Sequence, residues 1–331
     1  MTLQVQQALV LQEKKGQLVL IDNWPKQKPA KGEILIQNVC VGLNPIDWKS
    51  IVYDFGVHSL PWINGRETAG YVVEIGEEVQ GFKIGDRVFA PSTNYRDIRT
   101  STFQTYSIAA AENVGLIPDF ITFDQAAAIG VGLVTSGTAI YDSLKISMEP
   151  NSANSDKWIL VWGGSSIVGI FTIQLAKYAG FKVAAVASMS NRQYLRSIGA
   201  DIIFDRYDPV TSSQYAKTLG ISYAIDCVGA ETATYALQTL VPNGELVAIV
   251  KAPRQVPPGI TVHSVLLKKF HEDLVYGNKL ITFTSQLLHT KQIIPPRVEK
   301  LVGGLEKIPH GLDKLSSNLV SGRRIVVSLS E

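Results

Sequence analysis

The sequence predicts an α/β protein: a doubly wound parallel sheet joined to a mostly-β domain. Three observations lead there. From Lys157 to about Pro257, strand-like apolar runs alternate with segments of helical period, as in a parallel sheet with crossover helices. Within that region Val161-Trp162-Gly163-Gly164-Ser165-Ser166-Ile167-Val168-Gly169 joins a buried apolar run to a helix by a small-residue turn. Residues 1 to about 125 instead show short apolar runs punctuated by Gly, Pro, Asp and Asn, at spacings expected of a small barrel or sandwich.

In chain order, the early runs are Gln6 to Leu11, Gln17 to Ile21, Glu33 to Val41, Gly70 to Ile75, Arg87 to Ala90 and Thr105 to Ala109. Pro91 to Thr102 is polar and reads as a loop, with Arg96 and Arg99 on a solvated face. Asp124 to Leu144 has a helical pattern, with Thr122 as N-cap and Gln125 three residues on; Gly130, Gly132 and Gly137 predict a break near Gly130. Ile146 to Asp156 is polar and contains Pro150, a loop before the central unit.

Trp158 to Trp162 then reads as a buried strand. Ile167, Ile170, Phe171, Leu175 and Tyr178 recur at helical spacing, and Gly180 ends the helix. Lys182 to Ala187 is the second strand of this βαβ unit. The alternation continues with helix Asn191–Ile198, strand Asp201–Phe204, helix Val210–Leu219, strand Tyr223–Val228, helix Ala230–Leu240 and strand Gly244–Val250. After residue 260 the pattern is mixed. Asp273 to His289 reads as a helix although Leu280 to Phe283 has β character. Leu305 to Val320 is helical in pattern, and Arg324 to Leu329 forms a closing strand.

Composition narrows the functional classes. The chain has 331 residues, which favours about two domains; 46% are hydrophobic and 18% charged, which fits a globular protein with a sizeable core. A net charge of +2 directs it to neither nucleic acid nor membrane surfaces. Cys40 and Cys227 are too few for a disulfide scaffold, suit a reducing compartment and read as core residues. The sequence shows no signal peptide, no apolar run of membrane-spanning length and no N-glycosylation sequon, so a soluble cytoplasmic protein is expected.

The glycine turn carries the chemistry. A helix N-terminus behind a strand offers free backbone N–H groups and the positive end of a dipole to an anion. Gly163 permits a tight turn, and Gly169 lets the helix approach the sheet. Gly164 keeps the turn small, and Ser166 replaces the middle glycine of the dinucleotide fingerprint; serine hydroxyls can donate to a phosphate. A site for NAD places an acid after the second strand to hold the ribose 2′-OH, whereas a 2′-phosphate needs donors or positive charge. Here the second strand ends Ala187-Ser188-Met189-Ser190-Asn191-Arg192, with no acid, two serines, an Asn and an Arg. NADPH is therefore the expected cofactor, although the same residues could simply start and cap the next helix.

The chain also resembles a known family. Gly42-Leu43-Asn44-Pro45-Ile46-Asp47-Trp48-Lys49, Gly65-Arg66-Glu67-Thr68-Ala69-Gly70-Tyr71-Val72-Val73-Glu74-Ile75-Gly76, Phe82-Lys83-Ile84-Gly85-Asp86-Arg87-Val88, the turn at Gly163–Gly169 and Gly199-Ala200-Asp201 together resemble the medium-chain dehydrogenase/reductase superfamily. They look most like its zinc-independent branch of quinone oxidoreductases and fungal trans-acting enoyl reductases. The resemblance implies a GroES-like domain over 1–125 completed by about 271–331, a Rossmann domain over 126–270, and an active site in the cleft. It implies that Asn44, Pro45 and Lys49 face the nicotinamide half or the substrate, and that Thr135 and Thr138 line the same place. Asn44, Lys49 and Thr135 are then the residues at the reacting centre. Ser165, Ser166, Ile167 and Val168 would hold the pyrophosphate, and Ser188 and Asn191, with Arg192 beside them, the 2′-phosphate. Cys227, Val228, Ile249 and Val250 would flank the nicotinamide ribose. Relatives often carry a Tyr after Phe-Asp; this chain reads Phe204-Asp205-Arg206-Tyr207, so either Tyr207 shifts into that role or Arg206 replaces it.

Zinc-dependent relatives place a Cys at the position of Asn44 and a His at that of Arg66, and they carry a four-cysteine lobe. None of these is present, and no metal is expected. The chemistry then expected is hydride transfer to the activated C=C bond of a small enone or enoyl compound, or to a quinone, since such substrates delocalise the developing charge themselves. Tyr53, Lys49, Tyr141 and bulk water all stay open as proton source. Two other readings stand beside it: a cofactor-binding structural or regulatory protein without turnover, and a reductase acting on a chain held by a carrier protein, with Lys268, Lys269 and Lys279 as a docking patch. A monomer or homodimer is expected.

Overall fold

The computed structural model describes residues 4–92, 94 and 96–329. The chain divides into two compact units. One comprises residues 1–131, 268–289 and 295–331, and the other residues 132–267 and 290–294.

The first unit is mostly β. Its strands are β1 (Val5–Leu11), β2 (Leu18–Pro25), β3 (Glu33–Gly42), β4 (Trp62–Ile63), β5 (Glu67–Ile75), β6 (Arg87–Pro91), β7 (Tyr106–Ala110) and β8 (Gly115–Leu116). All six early runs read from the sequence are strands here, because apolar residues at alternate positions need one buried face. The chain pattern did not reveal the helix Pro45–Tyr53, which starts with proline at its first turn and ends at Asp54 in the left-handed region.

The second unit holds β9 (Trp158–Trp162), β10 (Lys182–Ala187), β11 (Ile202–Asp205), β12 (Ile221–Asp226), β13 (Leu240–Ala248) and β14 (Thr261–Ser264). They form one parallel sheet in the order β11-β10-β9-β12-β13-β14. The order reverses around β9, which is the doubly wound arrangement expected. Leu160, Trp162, Ala184, Val186, Ala224 and Leu246 on the strands pack with Ala233, Ala236 and Leu237 of the helix Ala230–Thr239.

The last two strands, β15 (Val298–Val302) and β16 (Arg324–Ser328), return to the first unit. β16 pairs antiparallel with β3, Val327 opposite Val41, so the seven-stranded sheet runs β15-β16-β3-β5-β6-β8, with β7 also on β3. A smaller sheet, β2-β1-β4, lies in the same unit. Ala8, Leu9, Val10, Val41, Leu43, Ile63, Ile325 and Val327 share one core cluster there, which ties the end of the chain to its beginning.

Some expectations hold and others are corrected. Leu274–His289 is helical throughout, Leu280–Phe283 included: Leu280, Ile281, Thr284, Leu287 and Leu288 share its buried face. The segment 124–144 does break before Gly130, giving Phe123–Ala126 and Gly130–Gly137, and then continues as a π-helix over Thr138–Ser143. Arg99 is not a solvated arginine: it binds Glu33 (2.9 Å) and Asp97 (2.7 Å), and these partners raise its pKa. Lys268 pairs with Glu272 at 3.3 Å on an exposed face, and Lys269 lies 4.7 Å from the Tyr276 ring centroid.

Candidate functional site

In the second unit the sequence-predicted cofactor residues converge at the C-terminal ends of the parallel strands, where open α/β sheets bind ligands. The turn after β9 starts at Gly163, held at φ +83, where a Cβ would lie 2.7 Å from Val228 Cγ2. Gly163 and Gly164 N–H both donate to the Val186 carbonyl of β10, each at 3.0 Å, which ties the turn to the neighbouring strand. Gly169 brings the helix Ile167–Tyr178 against the turn, since a Cβ there would lie 2.3 Å from the Gly163 carbonyl oxygen.

Ser166 is the N-cap of that helix rather than a lost glycine. Its hydroxyl accepts from Gly169 N–H (3.0 Å) and its carbonyl from Ile170 N–H (2.8 Å). A helix leaves its first N–H groups without helical partners. With those two satisfied, Ile167 and Val168 N–H remain as first-turn donors with no acceptor among the described residues. Ser165 stands beside them in the turn, and donors at a helix N-terminus are of the kind that can face an anion.

The end of β10 bears no acid. Ser188 and Ser190 hydroxyls lie 3.0 Å apart, Asn191 is buried and Arg192 exposed. Arg206 N–H donates to the Ala187 carbonyl, so the residues after β11 sit beside this group. The choice between Arg206 and Tyr207 dissolves into a pair: the guanidinium lies 4.6 Å from the Tyr207 ring centroid and donates to its hydroxyl at 2.8 Å. Tyr207 is 72% exposed.

Cys227 and Val228 follow β12, and Ile249 and Val250 follow β13, one step beyond the strands rather than within them. Val228 and Val250 are both about half exposed, unusual for valines at the end of a buried sheet. Cys227 is partly exposed as a residue, not a core position, although its thiol faces inward beside Ser166; burial pushes its pKa well up. Cys40 is the core thiol, raised to about 11 by burial.

Asp226, between these positions, was not singled out by sequence. It is fully buried, and its Oδ1 accepts from Val228 N–H (3.1 Å) and Gly229 N–H (2.8 Å), which shapes the turn that carries Cys227 and Val228. Burial raises its pKa, opposed by Thr232 and the two N–H groups. The signal was present as an acid closing the apolar run Tyr223-Ala224-Ile225. Thr135 and Thr138 lie on the helix and π-helix of this unit; both are buried, and the Thr138 hydroxyl donates to the Val134 carbonyl at 2.8 Å.

Asn44, Pro45 and Lys49 belong to the first unit, at the helix Pro45–Tyr53. Asn44 is its N-cap, Pro45 opens it, and Lys49 is half-buried with its ammonium 5.6 Å from the Trp48 ring centroid. Around Asn44 lies a buried charged group that no local motif announces. Asp47 Oδ2 accepts from Asn44 N–H (2.7 Å), Glu67 Oε1 accepts from Asn44 Nδ2 (3.0 Å), and Arg324 binds the same Glu67 oxygen (3.0 Å). Arg66 is buried beside them. Burial lifts the Asp47 carboxyl to about 7, opposed by the Arg66 charge and the Asn44 N–H.

Asn44 and Arg66, the positions the resemblance sets against zinc ligands, both stand at this buried group. A guanidinium is no zinc ligand, and the Asn44 amide nitrogen is engaged by Glu67. Among the described residues no three His, Cys, Asp or Glu are placed to hold a metal. The donor set does not fit zinc.

Comparison with known proteins identifies the family. Residues 30–130 match the alcohol dehydrogenase GroES-like domain, and residues 168–272 match the family described as zinc-binding dehydrogenase. A trans-enoyl reductase of Aspergillus japonicus is 32% identical over 90% of this chain and 90% of its own length. A zinc-type alcohol dehydrogenase-like protein of Schizosaccharomyces pombe is 29% identical, covering 94% of this chain and 96% of its own. An alcohol dehydrogenase superfamily protein from Novosphingobium aromaticivorans has the same fold, at TM-score 0.87 and 23% identity over 98% of this chain and 100% of that one. The chain belongs to the medium-chain dehydrogenase/reductase superfamily, in the branch that includes fungal trans-enoyl reductases. No helix among the described residues is long and apolar enough to cross a membrane.

Proposed function

We propose that this chain is an NADPH-dependent reductase that adds hydride to the activated C=C bond of an enone or enoyl substrate, or reduces a quinone, without zinc. The observation that carries this reading is the acid-free end of β10 beside an N-terminal anion cradle: Ser188, Ser190, Asn191 and Arg192 next to the Gly163–Gly169 turn. A carboxylate at that strand end would repel a 2′-phosphate, and hydroxyls and a guanidinium attract one. NADPH, when bound, supplies the hydride.

In this reading Gly163, Gly164, Ser165, Ser166, Ile167 and Val168 hold the pyrophosphate. Ser188, Asn191 and Arg192, with Tyr207 and its partner Arg206, hold the 2′-phosphate end. Cys227, Val228, Ile249 and Val250 flank the nicotinamide ribose, and Pro45 and Thr138 contribute to the same site. Asn44, Lys49 and Thr135 act at the reacting centre. Hydride would add to the β-carbon, the C=C pair would shift into the bond between the α-carbon and the carbonyl carbon, the C=O pair would move onto oxygen as an enolate, and a proton from solvent or a side chain at the α-carbon would complete the saturated product. In this reading a GroES-like domain over 1–125 would be completed by about 271–331, with a Rossmann domain over 126–270. A cytoplasmic location is supported by the two free cysteines.

A second reading, reduction of an acyl chain presented by a carrier protein, is favoured by the Aspergillus japonicus relative, named a trans-enoyl reductase. The test of the first reading is NADPH consumption with a panel of small enones, enoyl thioesters and quinones. Turnover of free small substrates supports it. Turnover only of carrier-bound enoyl thioesters favours the second. NADPH binding without consumption on any of these substrates returns the chain to a binding or regulatory role.

A further inference from the structure

We propose that Glu67 is a positioning residue that turns the Asn44 amide into a hydrogen-bond donor for the oxygen on which negative charge develops. The proposal rests on the reading above of Asn44 as a residue at the reacting centre. Two hydrogen-bond donors and one cation converge on the Glu67 carboxyl: Asn44 Nδ2 (3.0 Å) donates to Oε1, Val131 N–H (2.8 Å) to Oε2, and the Arg324 guanidinium forms an ion pair with Oε1 at 3.0 Å. An environment of donors is built for the ionised carboxylate, which only accepts. An acceptor facing an amide side chain leaves one choice of orientation, nitrogen toward the carboxylate. One Nδ2 proton is thus taken by Glu67, and the other has no acceptor among the described residues.

The surroundings hold this arrangement from both sides. Arg324 also donates from Nη1 to the carbonyl of Leu43, the residue before Asn44, at 3.0 Å. The Asn44 backbone is fixed by its N–H to Asp47 Oδ2 and by its carbonyl, which accepts from Asp47 N–H at 3.0 Å. Room for the carboxylate comes from Gly42, where a Cβ would lie 2.4 Å from Glu67 Oε1. Glu67 is fully buried, which pushes its carboxyl pKa up, against the pull of Arg324, Val131 N–H and Asn44. A fully buried acid in a pocket cleared by glycine, bonded to an N-cap amide, does more than a surface pair would, and in a water-poor setting a fixed donor is worth most where charge develops.

The test separates this inference from the proposed reductase activity by including a readout that needs no turnover. With asparagine side chains labelled by nitrogen-15, the NH2 signal that disappears in Asn44→Ala belongs to Asn44. One of its protons should be shifted downfield and exchange slowly, and Glu67→Gln should abolish both features. Because Glu67→Gln leaves the buried Arg324 charge without its partner, the pair Glu67→Gln/Arg324→Met is measured alongside it. An unshifted Asn44 signal in the unaltered protein, or one indifferent to Glu67→Gln and to the pair, overturns the proposal whatever the activity. In the kinetic arm, Glu67→Gln should lower kcat about tenfold or more with NADPH affinity within twofold, and should add nothing to Asn44→Ala. An equal loss in both backgrounds also overturns it. Absence of turnover in the unaltered protein defeats the reductase reading and leaves the nuclear magnetic resonance result to decide the positioning role.

Discussion

Replacing Gly169 by alanine tests the turn on which the cofactor reading depends. The added Cβ would lie 2.3 Å from the Gly163 carbonyl oxygen, 2.8 Å from Gly164 Cα and 3.0 Å from the Gly164 carbonyl carbon. Non-bonded carbons rest at about 3.5–4.0 Å, so the helix Ile167–Tyr178 must back away from the turn by about 1 Å. All three obstructing atoms are backbone, so no side chain can rotate aside. Overpacking of this kind costs about 1–3 kcal/mol, and the top of that range applies here; the better helix propensity of alanine returns about 1 kcal/mol. The expected net loss is about 2 kcal/mol in urea unfolding. The Ile167 and Val168 N–H groups move with the helix, so NADPH affinity should fall at least about tenfold, equivalent to ~1.4 kcal/mol. Gly229→Ala is the comparison: nothing lies within 4 Å of its Cβ, and its φ of 164 is extended backbone. It should cost under about 1 kcal/mol, the loss of a glycine N-cap. Unaltered stability and NADPH affinity in Gly169→Ala would refute the close-approach argument.

Three further outcomes follow from the same geometry. Ser166→Ala removes the hydroxyl that accepts from Gly169 N–H and should cost about 0.5–2 kcal/mol in thermal or urea unfolding. Arg324→Met strands the fully buried Glu67 carboxylate and should cost about 3–5 kcal/mol, with much of that recovered when Glu67→Gln is added; an additive double variant would contradict the pairing. Asp47 has its folded pKa raised by burial from 3.8 to about 7, so the native state keeps a proton that the unfolded chain has released. Its stabilising contribution is complete below the unfolded value and is lost as pH rises toward 7, with a slope of at most about 1.4 kcal/mol per pH unit. Stability profiles from pH 4 to 8 should therefore be flatter in Asp47→Asn, and identical profiles would contradict the assignment.

Local order was legible where one periodicity dominated. Lys182–Ala187 is a strand from end to end as read, because a run of valine and alanine fits a sheet buried on both faces. The helix after the glycine turn was legible from its apolar spacing and from Gly180 beyond it; expected over Ile170–Ala179, it runs Ile167–Tyr178, its first turn lying in what reads as part of the glycine turn. The helix Pro45–Tyr53 escaped because it is only nine residues long and half its side chains are apolar without a clear stripe. The short strands β4, β8, β14 and β15 escaped because pairing, not pattern, defines them. The cofactor turn could be found because its residues are adjacent in sequence. The Glu67–Arg324–Asn44 group could not: Arg324 lies far along the chain from Asn44 and Glu67 and meets them only when β16 pairs with β3.

The measurement that tests the central claim most directly is a titration of the purified protein with NADPH and with NADH, followed by nicotinamide fluorescence. Saturable NADPH binding with NADH much weaker is expected, because Ser188, Asn191 and Arg192 would meet a 2′-phosphate and no acid stands at that strand end for a 2′-hydroxyl. Equal affinity for the two would contradict the 2′-phosphate assignment, and binding of neither would contradict the cofactor site itself.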